Sequence, residues 1–326
     1  MMKVQYGLKS NATDEELKFV RQMGIDYVYV LFQDTDLNYD AVMRFKARVE
    51  KAGLQITDAG NIRNYKHPSI HLGLEDRDYY IEKYIEFMRV LGKAGIPVGY
   101  MTWEPNNVLT TKEGIGAYTR QSVGRIVDIH ELEQRPFTHG REYGEEEIWA
   151  NFKYFLDCVL PVCEETNVKI ALHPNDPPVP SLLGIHNLIH NSDCYRRAFD
   201  LANDSPYLGM KMCIGCWLEG GRAFGDLQAD IKEFVSRDKV LVVHFRNVSS
   251  PIPYFEETLL EDGYMDMYQV MKQLVACNYN GTIHVDHVPH FVESFGGVHS
   301  AFAYSFGYMK ALKNCANSEL AVRRMM

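Results

Sequence analysis

Lys169-Ile170-Ala171-Leu172-His173-Pro174-Asn175-Asp176-Pro177-Pro178 is an apolar run that ends on a histidine and is then stopped by prolines. An apolar run bounded by turn residues is the pattern of a strand buried on both faces. Pro177 and Pro178 have no N–H to give to a ladder, so pairing ends near His173. The imidazole is thereby delivered to the rim of a sheet, with Asn175 and Asp176 in the loop behind it. Three later stretches end in the same way: Met210-Lys211-Met212-Cys213, Val240-Leu241-Val242-Val243-His244 and Thr282-Ile283-His284-Val285-Asp286-His287.

Working outward from these four, the rest of the chain alternates strand and helix. Val4–Leu8, Asp26–Phe32, Leu54–Ala59 and Val98–Thr102 read as strands, rich in β-branched and aromatic residues. Between them lie helices with start and stop signals: Asn11-Ala12-Thr13 before Asp14, Gly53 after Ala52, and Gly95 with Pro97 after Ala94. Eight strand-then-helix units make a TIM (β/α)8 barrel the expected α/β architecture. No Gly-x-Gly-x-x-Gly opens any helix, which argues against a dinucleotide-binding fold. The rhythm breaks once, after strand four: residues 103–145 show no clear strand and read as an insertion or lid. The expected organisation is one barrel domain over 1–316 and a frayed polar tail over 317–326.

Composition narrows the function classes. The chain has 326 residues, 46% hydrophobic and 24% charged, as in an ordinary soluble globular protein. A net charge of −9 without any Lys/Arg block argues against a nucleic-acid partner and for a small-molecule ligand. Seven scattered cysteines in a chain this long are not a disulfide framework. The start has no apolar signal-peptide core and no run approaches the ~18 residues of a membrane span. A cytoplasmic, reducing location is the expectation.

In a TIM barrel the active site gathers at the C-terminal ends of the strands. His173, Cys213, His244 and Asp286 end strands five to eight, which are neighbours around the ring. Any one of them alone is more simply a rim histidine, a small buried thiol or a turn-forming aspartate. Together, imidazole, thiolate and carboxylate suit a divalent cation with positions left open for substrate. Two His and an Asp fit Mn2+, Fe2+, Co2+ or Zn2+, with the Cys favouring softer metals. Cys216 completes a C-x-x-C with Cys213 and is placed behind the ligand. Arg246 and Asn247, with Asn175 and Asp176, are the expected substrate-side groups, able to bind a carboxylate or orient a ligand. Asp262 and Asp266, around Gly263, read equally as a turn former and a helix cap.

These motifs resemble the mannonate dehydratases of the UxuA type. The resemblance is carried by Ala171-Leu172-His173-Pro174-Asn175-Asp176-Pro177-Pro178, Cys213-Ile214-Gly215, His244-Phe245-Arg246-Asn247-Val248, Asp262-Gly263-Tyr264-Met265-Asp266-Met267-Tyr268 and Asp286-His287. It extends back through Glu146 to Leu156, and more loosely through Gly73 to Asp78 and Tyr84. It implies a metal-dependent TIM-barrel lyase converting D-mannonate to 2-keto-3-deoxy-D-gluconate, usually with Mn2+, and a homodimer or larger assembly. The family's His, Cys, His and Asp ligands match His173, Cys213, His244 and Asp286, and its acid/base histidine matches His287. The chain departs from the pattern at His284, where the family usually has Arg, at Asn175, where it has Asp, and at Gly297, where it has a Tyr. Tyr304, His284 and His290 are the candidates for the proton-transfer partner of His287. Rival expectations are a metal-dependent isomerase, epimerase or dehydratase for another sugar acid, and a binding protein that has lost catalysis.

Overall fold

The computed structural model describes residues 2–325. Eight parallel strands close into a barrel, and we number them β1 to β8: Lys3–Lys9, Tyr27–Leu31, Gln55–Gly60, Val98–Thr102, Lys169–His173, Leu208–Cys213, Val240–His244 and Thr282–His284. The ring runs in sequence order, and β1 closes it against β8 through Lys3 opposite Thr282. Parallel strands need crossover connections, and helices supply them on the outside of the ring.

The helix ends follow their sequence signals. Thr13 caps Asp14–Gln22 in a capping box with Glu16, satisfying two donors reciprocally. Gly95 takes the left-handed conformation that ends Arg77–Ala94. The apolar stripe of Glu145–Thr166, including Phe152 and Phe155, packs on Trp103 at ring separations of 5.1 and 5.7 Å. Trp103 is 1% exposed, so the residue after β4 belongs to the barrel core and not to an insertion.

The stretch read as strandless holds two strands. Lys112–Ile115 and Val123–Asp128 form an antiparallel hairpin. Its inner strand pairs with Tyr254–Thr258, which pairs in turn with Asn247–Val248 just beyond β7. This four-stranded sheet caps the barrel mouth and is continuous in sequence with the end of β7. The hairpin escaped the sequence reading because Gly114 and Gly124 interrupt it and its outer strand is largely polar. Its charged member Arg125 is 8% exposed, buried with partners described below.

The chain end also differs from expectation. Gly297–Met325 is one helix, and it continues through the stretch expected to be a frayed tail. Ala316 is buried and Leu320 packs on the core. Glu319 bonds Lys272 Nζ at 3.0 Å and Tyr268 Oη at 2.8 Å. Deleting residues 317–326 is therefore expected to cost about 1–2 kcal/mol of unfolding free energy, read as a lower urea midpoint. An unchanged midpoint would restore the frayed-tail reading.

Candidate metal centre

His173 closes β5, Cys213 closes β6 and His244 closes β7, with Cys213 and His244 in register. Asp286 arrives by another route. β8 stops at His284, and Asp286 lies in the turn beyond it with φ 60°. Aspartate tolerates this left-handed conformation better than most residues. Its N–H donates to His284 Nδ1 at 3.0 Å. The turn carries the carboxylate back over β7, so that Oδ2 stands 2.9 Å from His244 Nδ1. His173 Nε2 is 3.3 Å from the same nitrogen. Each of the four side chains offers one ligand atom, and these atoms lie within 4.8 Å of one another.

The donor set fits a divalent cation. Four bonds of about 2.0–2.3 Å in a tetrahedral arrangement separate donor atoms by roughly 3.3–3.8 Å, close to the spacing seen. His173 Nδ1–H donates to the Pro174 carbonyl at 2.6 Å, which leaves the Nε2 lone pair facing the cluster. Burial works against a Cys213 thiolate. The Cys216 thiol, the Arg246 guanidinium and both imidazoles outweigh it and hold Cys213 well below the ordinary thiol range. Burial likewise opposes the Asp286 charge, and His244, His287 and Arg246 overcome it.

Behind the ligands stands a buried ion network. Arg246 is 1% exposed; Nη1 donates to Glu219 Oε1 at 2.5 Å and Nη2 to Asp176 Oδ2 at 2.6 Å. Its Nε stands 3.3 Å from Asp286 Oδ2, and Nη2 lies 3.6 Å from Cys216 Sγ. A Cβ built on Gly215 would collide with this guanidinium, so the close approach requires glycine there. From the hairpin, Arg125 reaches Asp176 Oδ1 at 2.5 Å and Glu257 Oε1 at 3.2 Å. Burial opposes the Asp176 charge but Arg125 and Arg246 prevail, holding it below the usual carboxylate range. Burial pushes Glu219 up to about 8, with Arg246 pulling against it and Asp176 adding to the push.

The four groups expected on the substrate side are placed differently. Asn175 Nδ2 donates to the Trp103 carbonyl at 2.9 Å, and its Oδ1 accepts the Ile189 N–H at 2.8 Å. Asn247 Nδ2 donates to the Leu260 and Met265 carbonyls at 2.9 and 2.8 Å. With Asp176 and Arg246 these residues are all buried, and their polar groups are engaged inside the protein. They tie the strand-end loops together rather than reaching for a ligand.

His287 is the group left at the opening. Its side chain is 39% exposed, with Nδ1 2.6 Å from Glu257 Oε1 and Nε2 3.3 Å from Asp286 Oδ2. Burial disfavours its charged form, but the two carboxylates raise its pKa to about 9. It borders a cavity of about 250 Å3, shared with Thr110, Val123 and Arg125 of the cap and with His290. His284 is buried between the rings of Tyr29 and His244 at 4.6 and 4.3 Å. Burial and the neighbouring His244 keep it neutral. Tyr304 stands apart. It is 43% exposed on the last helix and its hydroxyl donates to Glu261.

Sequence reasoning passed over Arg125, Glu219 and Glu257. Arg125 carried a signal: an arginine inside Val123-Gly124-Arg125-Ile126-Val127 is a charge in an apolar run, which asks for a buried partner. Asp266 proves to be a helix cap, accepting the Tyr268 N–H, and Asp262 pairs with Arg120.

The sequence matches the family described as D-mannonate dehydratase (UxuA) over residues 2–111 and 124–320. The chain belongs to the mannonate dehydratase family. A mannonate dehydratase of Streptococcus suis (strain 05ZYH33) is 28% identical over 310 residues, covering 86% of this chain and 83% of its own. One from Thermotoga maritima is 32% identical over 285 residues, covering 76% and 77%. The crystal structure of the mannonate dehydratase from Streptococcus suis serotype 2 superposes with a TM-score of 0.82 at 25% identity, covering 98% of this chain and 95% of that one. Residues 112–123, the outer strand and turn of the cap hairpin, fall between the two stretches that match the family.

Arg246→Leu leaves buried Asp176 and Glu219 with Arg125 alone as a cationic partner. It is expected to cost about 3–5 kcal/mol in urea unfolding; a loss under about 1 kcal/mol would contradict the network's role. The His287 pKa, raised from 6.5 to about 9, gives a signed pH dependence. A group with a raised folded-state pKa stabilises fully below its unfolded value and loses that contribution as pH rises through the folded one. The urea midpoint of metal-free protein should fall from pH 6.5 to 9, and fall less in His287→Asn.

Proposed function

We propose that this protein is a metal-dependent mannonate dehydratase, converting D-mannonate to 2-keto-3-deoxy-D-gluconate and water. Membership of the family makes it a carbon–oxygen lyase. The observation that carries the reading is the convergence of His173, Cys213, His244 and Asp286 beside a half-exposed His287 at the mouth of the barrel. We assign the four as ligands of a divalent cation, with Mn2+ as the physiological choice for a hard sugar-acid substrate. When bound, the cation supplies Lewis acidity, drawing charge from the substrate carboxylate and making the adjacent C2 proton easier to remove.

The chain's own residues then account for the proton steps. The C2–H proton leaves to a base, the C2 electron pair forms the C2–C3 double bond, and the C3 hydroxyl departs as water once protonated. The resulting enol tautomerises to the 2-keto acid. His287 suits protonation of the leaving hydroxyl: Glu257 and Asp286 favour its imidazolium, and it borders the cavity. The Tyr304 hydroxyl is bonded to Glu261 on the outer helix. His284 accepts the Asp286 N–H at Nδ1 and, being neutral, keeps its proton on Nε2, so it has no lone pair for the C2 proton and serves as a donor. His290, which lines the same cavity as His287, is the candidate left to take the C2 proton. Arg246, Asp176, Asn175 and Asn247 act as supports that fix the strand ends. Among the described residues no helix is long and apolar enough to cross a membrane. We place the enzyme in the cytoplasm as a homo-oligomer.

Chelated protein should lose turnover of D-mannonate and recover it with Mn2+, with the product identified by mass as substrate less one water. Equal turnover before and after chelation would sink the metal assignment. His287→Asn is expected to lower kcat by ~10²–10⁴-fold while retaining the metal.

A further inference from the structure

β6 sends alternate side chains to the barrel interior and to the helical shell, so Lys211 and Cys213 share the interior face. Two residues of strand separate them by about 6.6 Å. Lys211 keeps only 6% of its surface accessible, and its Nζ lies 2.9 Å from the centroid of the Tyr100 ring on β4. The amine therefore reaches inside the barrel past β5 to β4, toward the side that carries Tyr29, Asp58 and Tyr100.

Beyond the Tyr100 ring it has no polar partner among the described residues. Among the described residues Lys211 Nζ has no hydrogen bond and no ion pair; Asp58 and Asp286 act on it only through space. The other buried cations are all engaged. Arg125 and Arg246 share Asp176, and Lys239 holds the Asp204 carboxylate at 2.9 Å and the Ser205 carbonyl at 2.9 Å. Lys66, nearby, is paired with Glu104 at 2.6 Å. A buried lysine amine whose N–H groups meet no acceptor leaves its hydrogen bonds unmade. An acceptor arriving with a ligand would relieve it.

The lining around Lys211 is continuous with the cluster. Ring contacts run from His244 to His284 at 4.3 Å, to Tyr29 at 4.6 Å and to Tyr100 at 6.1 Å. His244 Nε2 and His284 Nε2 along this lining also lack protein partners. We infer that Lys211 Nζ contacts the substrate directly, donating a hydrogen bond to an oxygen of the sugar acid held at the four-ligand cluster. The inference rests on the sugar-acid reading above and adds a contact deeper in the barrel, two residues below Cys213 on β6.

The test uses full-length protein loaded with Mn2+ and the variants Lys211→Met and Lys211→Arg. The Met variant is expected to raise KM for D-mannonate at least tenfold, with metal content and melting temperature as in the wild type; the Arg variant restores part of the loss. A purely structural lysine would instead lower the melting temperature and leave KM unmoved, and that result overturns the proposal. Calorimetric titration with D-gluconate, the C2 epimer, separates this from failure of the dehydratase reading. If the wild type does not dehydrate D-mannonate, that reading fails, yet tenfold weaker D-gluconate binding by Lys211→Met still supports the contact. Equal binding by both proteins, or no binding to the wild type, overturns it. Should Lys211→Met not fold, reductive methylation of wild-type Lys211, read by peptide mass, takes its place. Slower modification with D-gluconate present supports the contact and an unchanged rate overturns it.

Discussion

Arg246 sits with 1% of its surface exposed, bonded to Asp176 and Glu219 and facing Asp286, and three barrel strands are referred to it. It follows β7, its carboxylate partners come from the loop after β5 and the helix after β6, and Asp286 comes from the turn after β8. Desolvating so many charges is unfavourable unless each is paired with good geometry. The arrangement therefore tolerates few alternatives, and it fixes where the strand ends stand relative to one another. The thiolate of Cys213 and the carboxylate of Asp286 both owe part of their charged state to this guanidinium.

The cap sheet extends the same logic outward. Arg125 enters from the hairpin and joins Asp176 to Glu257, and Glu257 in turn holds His287. The side chain that borders the cavity is thus positioned by a chain of ionic contacts that begins under the four-residue cluster. Rim and floor are separate in sequence but electrostatically continuous. The outermost part of the cap, residues 112–123, lies outside the stretches that match the family.

Much of this was legible in the sequence because parallel strands advertise themselves. The eight barrel strands were all visible as apolar runs, and β4, β5 and β7 begin and end where their residues suggest. The convergence of His173, Cys213 and His244 followed from strand ends alone. Asp286 joins them by another device than the one its sequence suggests, since a left-handed turn and not a strand end delivers it. The substrate-side expectation for Asn175, Asp176, Arg246 and Asn247 rested on polarity next to a ligand. Polarity does not reveal whether a group is satisfied from within, and here three-dimensional partners such as Trp103 and Leu260 consume it. The cap hairpin was hidden because its strands pair with Tyr254–Thr258, over a hundred residues away, and carry glycines where a strand signal needs bulk.

Gly215 and Arg246 constrain each other's history. While arginine stands at 246, any Cβ at 215 strikes its guanidinium; once arginine is lost, Asp176 and Glu219 are left with Arg125 of the cap as their remaining cation. Neither position can therefore drift alone, and the shortest route between alternatives passes through a damaged protein. Grafting this centre onto another barrel has the same requirement: the four ligands would have to travel with the glycine, the arginine and both of its carboxylates as one heritable block.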